Sequence, residues 1–285
     1  MFQTDLLKDK VVLVTGGGTG LGKSMSLRFA ELGAKVVIAS RKMEHLAQAA
    51  QEIEAKGTEC LPVTCDVRDY DQVEGVVKQA ALRFGKLDVL VNNAAGNFLC
   101  PTEDLTPNGF ASVIGIVLTG SFHTTLAAGR QMIAQGTGGN ILSIVTTYAW
   151  TGSAYVVPSV CGKAGVLAMT RSLAVEWARH KIRCNAIAPG PFPTEGAWGA
   201  LVPGGGGGFA GDAIKKKVPL GRVGEHHELA NLAAYLVSDG SGYITGDCVT
   251  IDGGEWLGGA GEFNFFTQMD PGAVKQMMGA MRPKK

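Results

Sequence analysis

Net charge is nearly absent from this sequence. Twenty-six basic and 25 acidic side chains leave a formal charge of +1 on 285 residues. That balance supplies no long-range attraction for nucleic acid or for an anionic membrane surface, and neither is expected as a partner. Cysteine pairing is missing too: Cys60, Cys65, Cys100, Cys161, Cys184 and Cys248 are scattered and form no C-x-x-C pair, which suits free thiols in a reducing compartment. The five histidines make no H-E-x-x-H and no Cys/His set at zinc-ligand spacing, so no metal is expected. A G-x-S-x-G nucleophile elbow is also missing, which argues against serine hydrolase chemistry. The start, Met1 to Lys10, carries Asp5, Lys8, Asp9 and Lys10 rather than a signal peptide or an Arg-rich leader. The end, Arg282-Pro283-Lys284-Lys285, is no peroxisomal address, and a cytoplasmic protein is expected.

What is present is apolar and glycine-rich. With 46% hydrophobic and 18% charged residues, the chain can bury a single large core, and one domain spanning residues 1–285 is expected. Short β-branched runs recur at Val11 to Val14, Lys35 to Ala39, Cys60 to Thr64, Leu87 to Val91, Ile141 to Val145, Ile182 to Ile187 and Cys248 to Ile251, separated mostly by helix-length segments. The runs are continuous rather than alternating, as in strands covered on both faces, and this predicts a doubly wound parallel α/β sheet. One long departure, at about 191–219, includes Pro203-Gly204-Gly205-Gly206-Gly207-Gly208, a composition that disfavours regular structure and suggests a substrate lid. The other is a tail at about 258–285, in which Gly272 to Met281 reads as a short helix packed on a partner subunit or as a frayed end.

The first strand runs into Thr15-Gly16-Gly17-Gly18-Thr19-Gly20-Leu21-Gly22 and then into an apolar helix pattern. Glycines there let backbone amides approach a pyrophosphate, and the following helix start adds unpaired N–H groups. The same residues satisfy a second pattern, Gly17-x-x-x-x-Gly22-Lys23-Ser24, the P-loop of nucleotide triphosphatases; that alternative would use Lys23 on phosphates, Ser24 on magnesium and Asp66 as a metal-side acid. After the second strand come Ser40, Arg41 and Lys42, where an NAD-specific protein places an acidic residue. Arg41 can grip a ribose 2′-phosphate, so NADPH/NADP is the expected cofactor.

Across nearly its whole length the sequence resembles the short-chain dehydrogenase/reductase family, through Thr15 to Gly22, Asp66, Asn92-Asn93-Ala94-Ala95-Gly96, Lys163 and Pro189-Gly190. The resemblance implies a cofactor seat made by Gly16, Gly18, Thr19, Gly20 and Leu21, with Asp66 and Val67 near the adenine. It also implies that Asn93, Ala94, Ala95 and Gly96 form a supporting turn, that Lys163 binds the nicotinamide ribose, and that Pro189, Gly190, Pro191 and Phe192 lie beside it. A homotetramer is the common assembly. Most members carry Tyr-x-x-x-Lys, but here Ser159 stands four before Lys163, Thr146 holds the accompanying serine position, and Val117 stands where a helix asparagine is common.

The departures are those of the 2,4-dienoyl-CoA reductase branch, which the chain also resembles at Ala39 to Met43, Asn97-Phe98, Tyr148-Ala149, Val156 to Ser159, Gly253 to Glu255 and Gly261 to Asn264. That resemblance implies that Tyr148 and Asn97 bind the thioester carbonyl of an acyl-CoA, with Phe98 and Ser159 beside the substrate. Hydride delivered to the far end of a dienoyl thioester pushes charge onto the thioester oxygen, so two donors there act as an oxyanion hole. Lys163, oriented by Ser159, would keep positive charge nearby, and water would protonate the dienolate to a 3-enoyl-CoA in unsaturated fatty acid β-oxidation. Tyr155 is a spare donor. At the CoA end Arg68 matches a family contact, whereas Pro193 and Glu195 occupy a loop in which relatives often show lysines; Lys215-Lys216-Lys217 is either a substitute or a solvated helix face. The competing functions are another NADPH-dependent enoyl or ketoacyl thioester reductase, a non-catalytic NADP-binding protein and the triphosphatase.

Overall fold

Seven strands form one parallel sheet in the order β3-β2-β1-β4-β5-β6-β7. They span Val11–Thr15 (β1), Lys35–Ser40 (β2), Cys60–Thr64 (β3), Val89–Asn92 (β4), Gly139–Ile144 (β5), Ile182–Pro189 (β6) and Cys248–Ile251 (β7). The computed structural model describes residues 2–201 and 208–282. Strand side chains alternate between two cores. Val12, Val14, Val36, Ile38, Val89 and Val91 face one helical layer with Phe29, Leu46 and Leu229. Val11, Leu13, Val37, Ala39 and Leu90 face the other with Val73, Ala127, Met132 and Trp177. Both layers exclude water from the sheet, which is why the runs are apolar at every position rather than every second one.

The first layer contains α1 (Gly20–Glu31), α2 (Met43–Glu54) and α10 (His226–Val237); the second contains α3 (Tyr70–Phe84), α5 (Gly120–Gln135) and α7 (Val157–Glu176). Side-chain caps start two of them. Asp69 caps α3 by accepting from the amides of Asp71 and Gln72, and Glu225 and Glu228 close a capping box on α10. A short α4 (Pro107–Ile114) runs through a π turn, Gly115–Thr119, into α5. The π turn buries Val117, and its side chain lies where a Cβ on Gly162 would meet it at 2.8 Å, so the turn seats α5 against α7 one residue before Lys163. Pro107–Gln135 is long and apolar enough to cross a bilayer, yet α5 buries Thr124, Ala127, Ala128 and Met132, as a core helix does.

Because β2 and β3 are added on one side of β1 and β4 on the other, the strand order reverses at β1. The carboxyl ends of those strands open the crevice where such sheets bind ligands. In chain order α6 (Tyr148–Thr151) follows β5, α8 (Glu195–Leu201) and α9 (Gly208–Lys217) follow β6, and α11 (Glu255–Ala260) follows β7. The expected lid thus contains two helices, and Gly208 opens the second; Pro203 to Gly207 lie outside the described residues. In the tail, Pro271–Ala280 forms α12, none of whose residues is buried.

Candidate active site

Thr15, at the end of β1, organises the cofactor end. Its hydroxyl accepts from the amides of Asn93 and Ala94 at 3.0 Å each and donates to the Val91 carbonyl, while the Asn93 side chain donates to the Thr15 carbonyl at 2.9 Å. The glycine turn and the Asn93-Ala94-Ala95-Gly96 turn are therefore one unit. Gly16 has φ +66°, and a Cβ on Gly22 would sit 2.3 Å from the Gly16 carbonyl oxygen, so only glycines allow the loop and helix to meet. Thr19 precedes α1 without capping it through its side chain, which leaves the amides around Gly20 and Leu21 for a ligand. This cradle fits a dinucleotide pyrophosphate. Asn92 is buried and tied to Thr124 at 2.6 Å and Thr125 at 2.8 Å, anchoring the turn to α5.

Ser40, Arg41 and Lys42 lie at the end of β2, with Arg41 and Lys42 exposed. Asp66 follows β3, beside the buried Val67. The Arg68 guanidinium beside Asp66 holds its carboxyl below the ordinary carboxylate range, with contacts of 3.0 Å from Nε and 2.5 Å from Nη2. Arg68, expected on CoA, is thus engaged by the residue expected at the adenine. Gly18 packs close to the His45 backbone. Pro189 ends β6, the Gly190 amide donates to Ile251, and Phe192 is buried after Pro191.

Two side chains of the alternative P-loop reading point elsewhere. Lys23 Nζ pairs with Glu52 on α2 at 2.7 Å, and Ser24 Oγ bonds His226 at 2.8 Å and the Gly20 carbonyl at 3.1 Å. Neither is directed at a phosphate or magnesium, because in this helix those positions face α2 and α10. The triphosphatase arrangement is not formed.

The reactive end joins three elements. Tyr148 opens α6, and its hydroxyl lies 2.9 Å from Ser159 Oγ on α7, a hydroxyl that is itself buried. One turn on, Lys163 is 6% exposed and donates to the Ile144 carbonyl at 2.5 Å. Burial pushes its ammonium down to about 8. The expected link between Ser159 and Lys163 is absent: Ser159 holds Tyr148, and the carbonyl at the end of β5 holds Lys163. Ser159 is too short to reach where a tyrosine hydroxyl would lie, so Tyr148 comes to it from α6.

Asn97 and Phe98 follow the supporting turn. Asn97 Oδ1 accepts from the Phe98 amide at 2.9 Å, an orientation that commits the oxygen and, among the described residues, leaves both amide N–H donors for another acceptor. Thr146 Oγ1 is buried without a hydrogen-bond partner among the described residues. Tyr155 is 59% exposed, and its carbonyl, not its hydroxyl, makes a tie, accepting from the Cys100 amide at 2.9 Å. It is not brought to Ser159. Lys215, Lys216 and Lys217 form an exposed end of α9.

Sequence reasoning missed two supports. Asp252, after β7, accepts from the amides of Gly254 and Trp256 at 2.8 and 2.9 Å, and Trp256 meets Trp150 of α6 edge-on at 5.8 Å. The apolar, aromatic Trp256 near a Gly-Gly turn was the available signal. His226, the first residue of α10, bonds two distant segments, a role that no motif around it in the sequence shows.

Comparison with known proteins places these features in context. The family model described as "Enoyl-(Acyl carrier protein) reductase" matches residues 16–255. An uncharacterised oxidoreductase of Caenorhabditis elegans is 49% identical over 87% of this chain and 80% of its own length. A probable 2,4-dienoyl-CoA reductase of Bacillus subtilis, named as (2E)-enoyl-CoA-producing, is 46% identical over 88% of this chain and 98% of its own. The crystal structure of a short chain dehydrogenase from Bacillus anthracis superimposes with a TM-score of 0.80 at 47% identity, covering 88% of this chain and 98% of that one.

Proposed function

Because this chain belongs to the short-chain dehydrogenase/reductase family, we propose that it is an NADPH-dependent 2,4-dienoyl-CoA reductase. The observation that carries the reading is the Tyr148–Ser159 hydrogen bond one turn from buried Lys163. A ketone reductase of this family needs a tyrosine at 159 as its acid; here a tyrosine hydroxyl enters from α6 instead, and Asn97 has its amide donors uncommitted. Relatives at 37–46% identity bear the name 2,4-dienoyl-CoA reductase, which supports the same substrate class.

A nicotinamide held at this cradle would supply the hydride. Tyr148 and Asn97 donate to the thioester oxygen, on which negative charge grows as the far end of the diene is reduced. In this role Ser159 donates to the Tyr148 hydroxyl oxygen, which leaves the single Tyr148 proton for the thioester and fixes its direction, so the donor is preorganised rather than recruited. Lys163 would hold the nicotinamide ribose and carry positive charge near the developing dienolate, in a setting where burial strengthens the interaction. Water then protonates the dienolate carbon, giving a 3-enoyl-CoA for unsaturated fatty acid β-oxidation. Arg41, with Ser40 and Lys42 beside it, receives the 2′-phosphate that selects NADPH. The working assembly is taken as a homotetramer, the form that the family resemblance implies.

The test is NADPH oxidation with 2,4-hexadienoyl-CoA, a simple 2-enoyl-CoA and acetoacetyl-CoA offered separately, with the product double bond located. Turnover confined to the dienoyl substrate is expected; turnover only with acetoacetyl-CoA removes the reading. A second reading, reduction of a 2-enoyl thioester, is favoured by the description of the family model and predicts turnover with the 2-enoyl-CoA. Product analysis also separates 3-enoyl from the 2-enoyl product named for the Bacillus subtilis relative.

A further inference from the structure

Tyr155 is a bulky residue in a backbone conformation that such residues avoid. Its φ is +65°, in the left-handed region where glycine, and to a lesser degree asparagine and aspartate, sit at little cost. The ring does not account for this choice: it is exposed, and among the described residues its hydroxyl makes no hydrogen bond. What the conformation secures lies in the main chain, where the Tyr155 carbonyl accepts from the Cys100 amide at 2.9 Å. An outlier whose side chain gains nothing points to a demand on the backbone.

That hydrogen bond joins the two segments that carry the proposed thioester donors. Residues 152–156 connect α6, which Tyr148 opens, to α7, which carries Ser159. Their far side is fixed, because Val156 is buried and its carbonyl accepts from the Val160 amide in the first turn of α7. Residues 97–100 leave the Asn93 to Gly96 turn, which Thr15 Oγ1 anchors and against which a Cβ on Gly96 would meet Ile116 at 3.0 Å. Asn97 thus stands midway between two anchors, the Ala94 amide before it and the Cys100 amide after it. Among the described residues, Cys100–Tyr155 is the hydrogen bond that crosses from residues 97–101 to residues 148–159. Pro101 restricts Cys100 to extended backbone, which leaves its amide little freedom to find another acceptor.

We propose that Tyr155 is a positioning residue for the oxyanion hole: its left-handed backbone aims the carbonyl that holds the Cys100 amide, and this sets Asn97 against the Tyr148–Ser159 pair. The role belongs to the main chain and is exerted through Asn97. It requires a residue that accepts φ near +65° and does not require a ring. The inference rests on the proposed part of Asn97 and Tyr148 as thioester donors; the tie between the two segments does not.

Substitution at residue 155 separates backbone from ring. Tyr155→Val brings a β-branched side chain that disfavours positive φ, whereas Tyr155→Asn and Tyr155→Gly remove the ring and keep the conformation. NMR-detected hydrogen exchange at the Cys100 amide should accelerate about tenfold or more in Tyr155→Val and stay within about threefold in the other two. With 2,4-hexadienoyl-CoA, kcat of Tyr155→Val should fall about 10–100-fold while the NADPH dissociation constant stays within about twofold, the scale expected when a reacting group is displaced by about 1 Å. Tyr155→Asn and Tyr155→Gly should keep kcat within about threefold of the wild-type value. In an Asn97→Ala background Tyr155→Val should lower kcat no further, because the residue through which it acts is gone. Tyr155→Ala, which is also disfavoured at positive φ, carries the same comparisons if the valine variant does not fold. A Cys100 amide that exchanges freely in the wild type, an unchanged kcat in Tyr155→Val, equal losses in all three variants, or a full additional loss on top of Asn97→Ala each overturns the proposal. A protected Cys100 amide in a protein that does not reduce the dienoyl thioester would keep the tie but remove the thioester assignment, and the positioning role with it.

Discussion

The two ends of the site are built differently. At the cofactor end, Thr15, Gly16, Gly22, Asn92 and Asn93 already bond or pack on one another, and the apolar residues of β1, β2 and β4 beneath them are buried. At the substrate end Tyr148 and Ser159 are joined; among the described residues Asn97 keeps free donors, Arg68 is turned onto Asp66, and α9 ends in three exposed lysines. A seat for a common cofactor can be rigid, since its backbone amides need no adjustment. A seat for a long thioester must leave donors uncommitted until the substrate arrives, and such groups are held by few contacts.

The sharpest way to break this comparison is Tyr148→Phe. Loss of one oxyanion donor should lower kcat about 10²–10³-fold while NADPH affinity stays unchanged, measured by steady-state turnover and a binding titration; an unaltered kcat would take Tyr148 out of the chemistry. On the rigid side, Arg41→Ala should weaken NADPH by about 10–100-fold and leave NADH unaffected, because a charge-assisted contact to the 2′-phosphate contributes about 1.5–3 kcal/mol. Equal losses for both dinucleotides would place Arg41 elsewhere.

Lys163 belongs to both ends and yields a pH test. Burial lowers its folded-state value from the ordinary 10.5 to about 8. Its charge is present below about 8 and lost above, so kcat/KM should fall about tenfold per pH unit beyond that point. The sign for stability is opposite: between about 8 and 10.5 the unfolded chain binds the extra proton, and this group makes the fold more stable as pH rises. An activity profile flat through that window would show that the Lys163 charge is not used. The smallest effect is expected at exposed Arg68, where alanine should raise the acyl-CoA KM about threefold without changing kcat. A larger change in NADPH affinity than in KM would show that its partner Asp66 is the working member of the pair.

Legibility followed the same division. The seven apolar runs, the glycine turn and the Asn92 to Gly96 turn were readable because local composition and spacing determine them: β-branched runs covered on both faces, glycines where backbones meet. Strand limits moved by a few residues, as at Leu87, where the run starts before the ladder does. Tyr148, Asn97 and Ser159 were found through family resemblance, but which of them bonds which was not readable. Ser159 pairs with Tyr148 because α6 and α7 converge, and Lys163 reaches Ile144 because β5 ends beneath it. Lys23 and Ser24 show the converse, a motif whose spacing fits one chemistry while the helix turns both side chains into other contacts.

The sequence by itself determined the sheet, its two-sided core and the phosphate cradle, since these depend on residue type and short-range spacing. Tertiary structure alone decided the partners of Ser159, Lys163, Arg68 and His226, because each of those bonds forms between side chains that chain order does not place side by side.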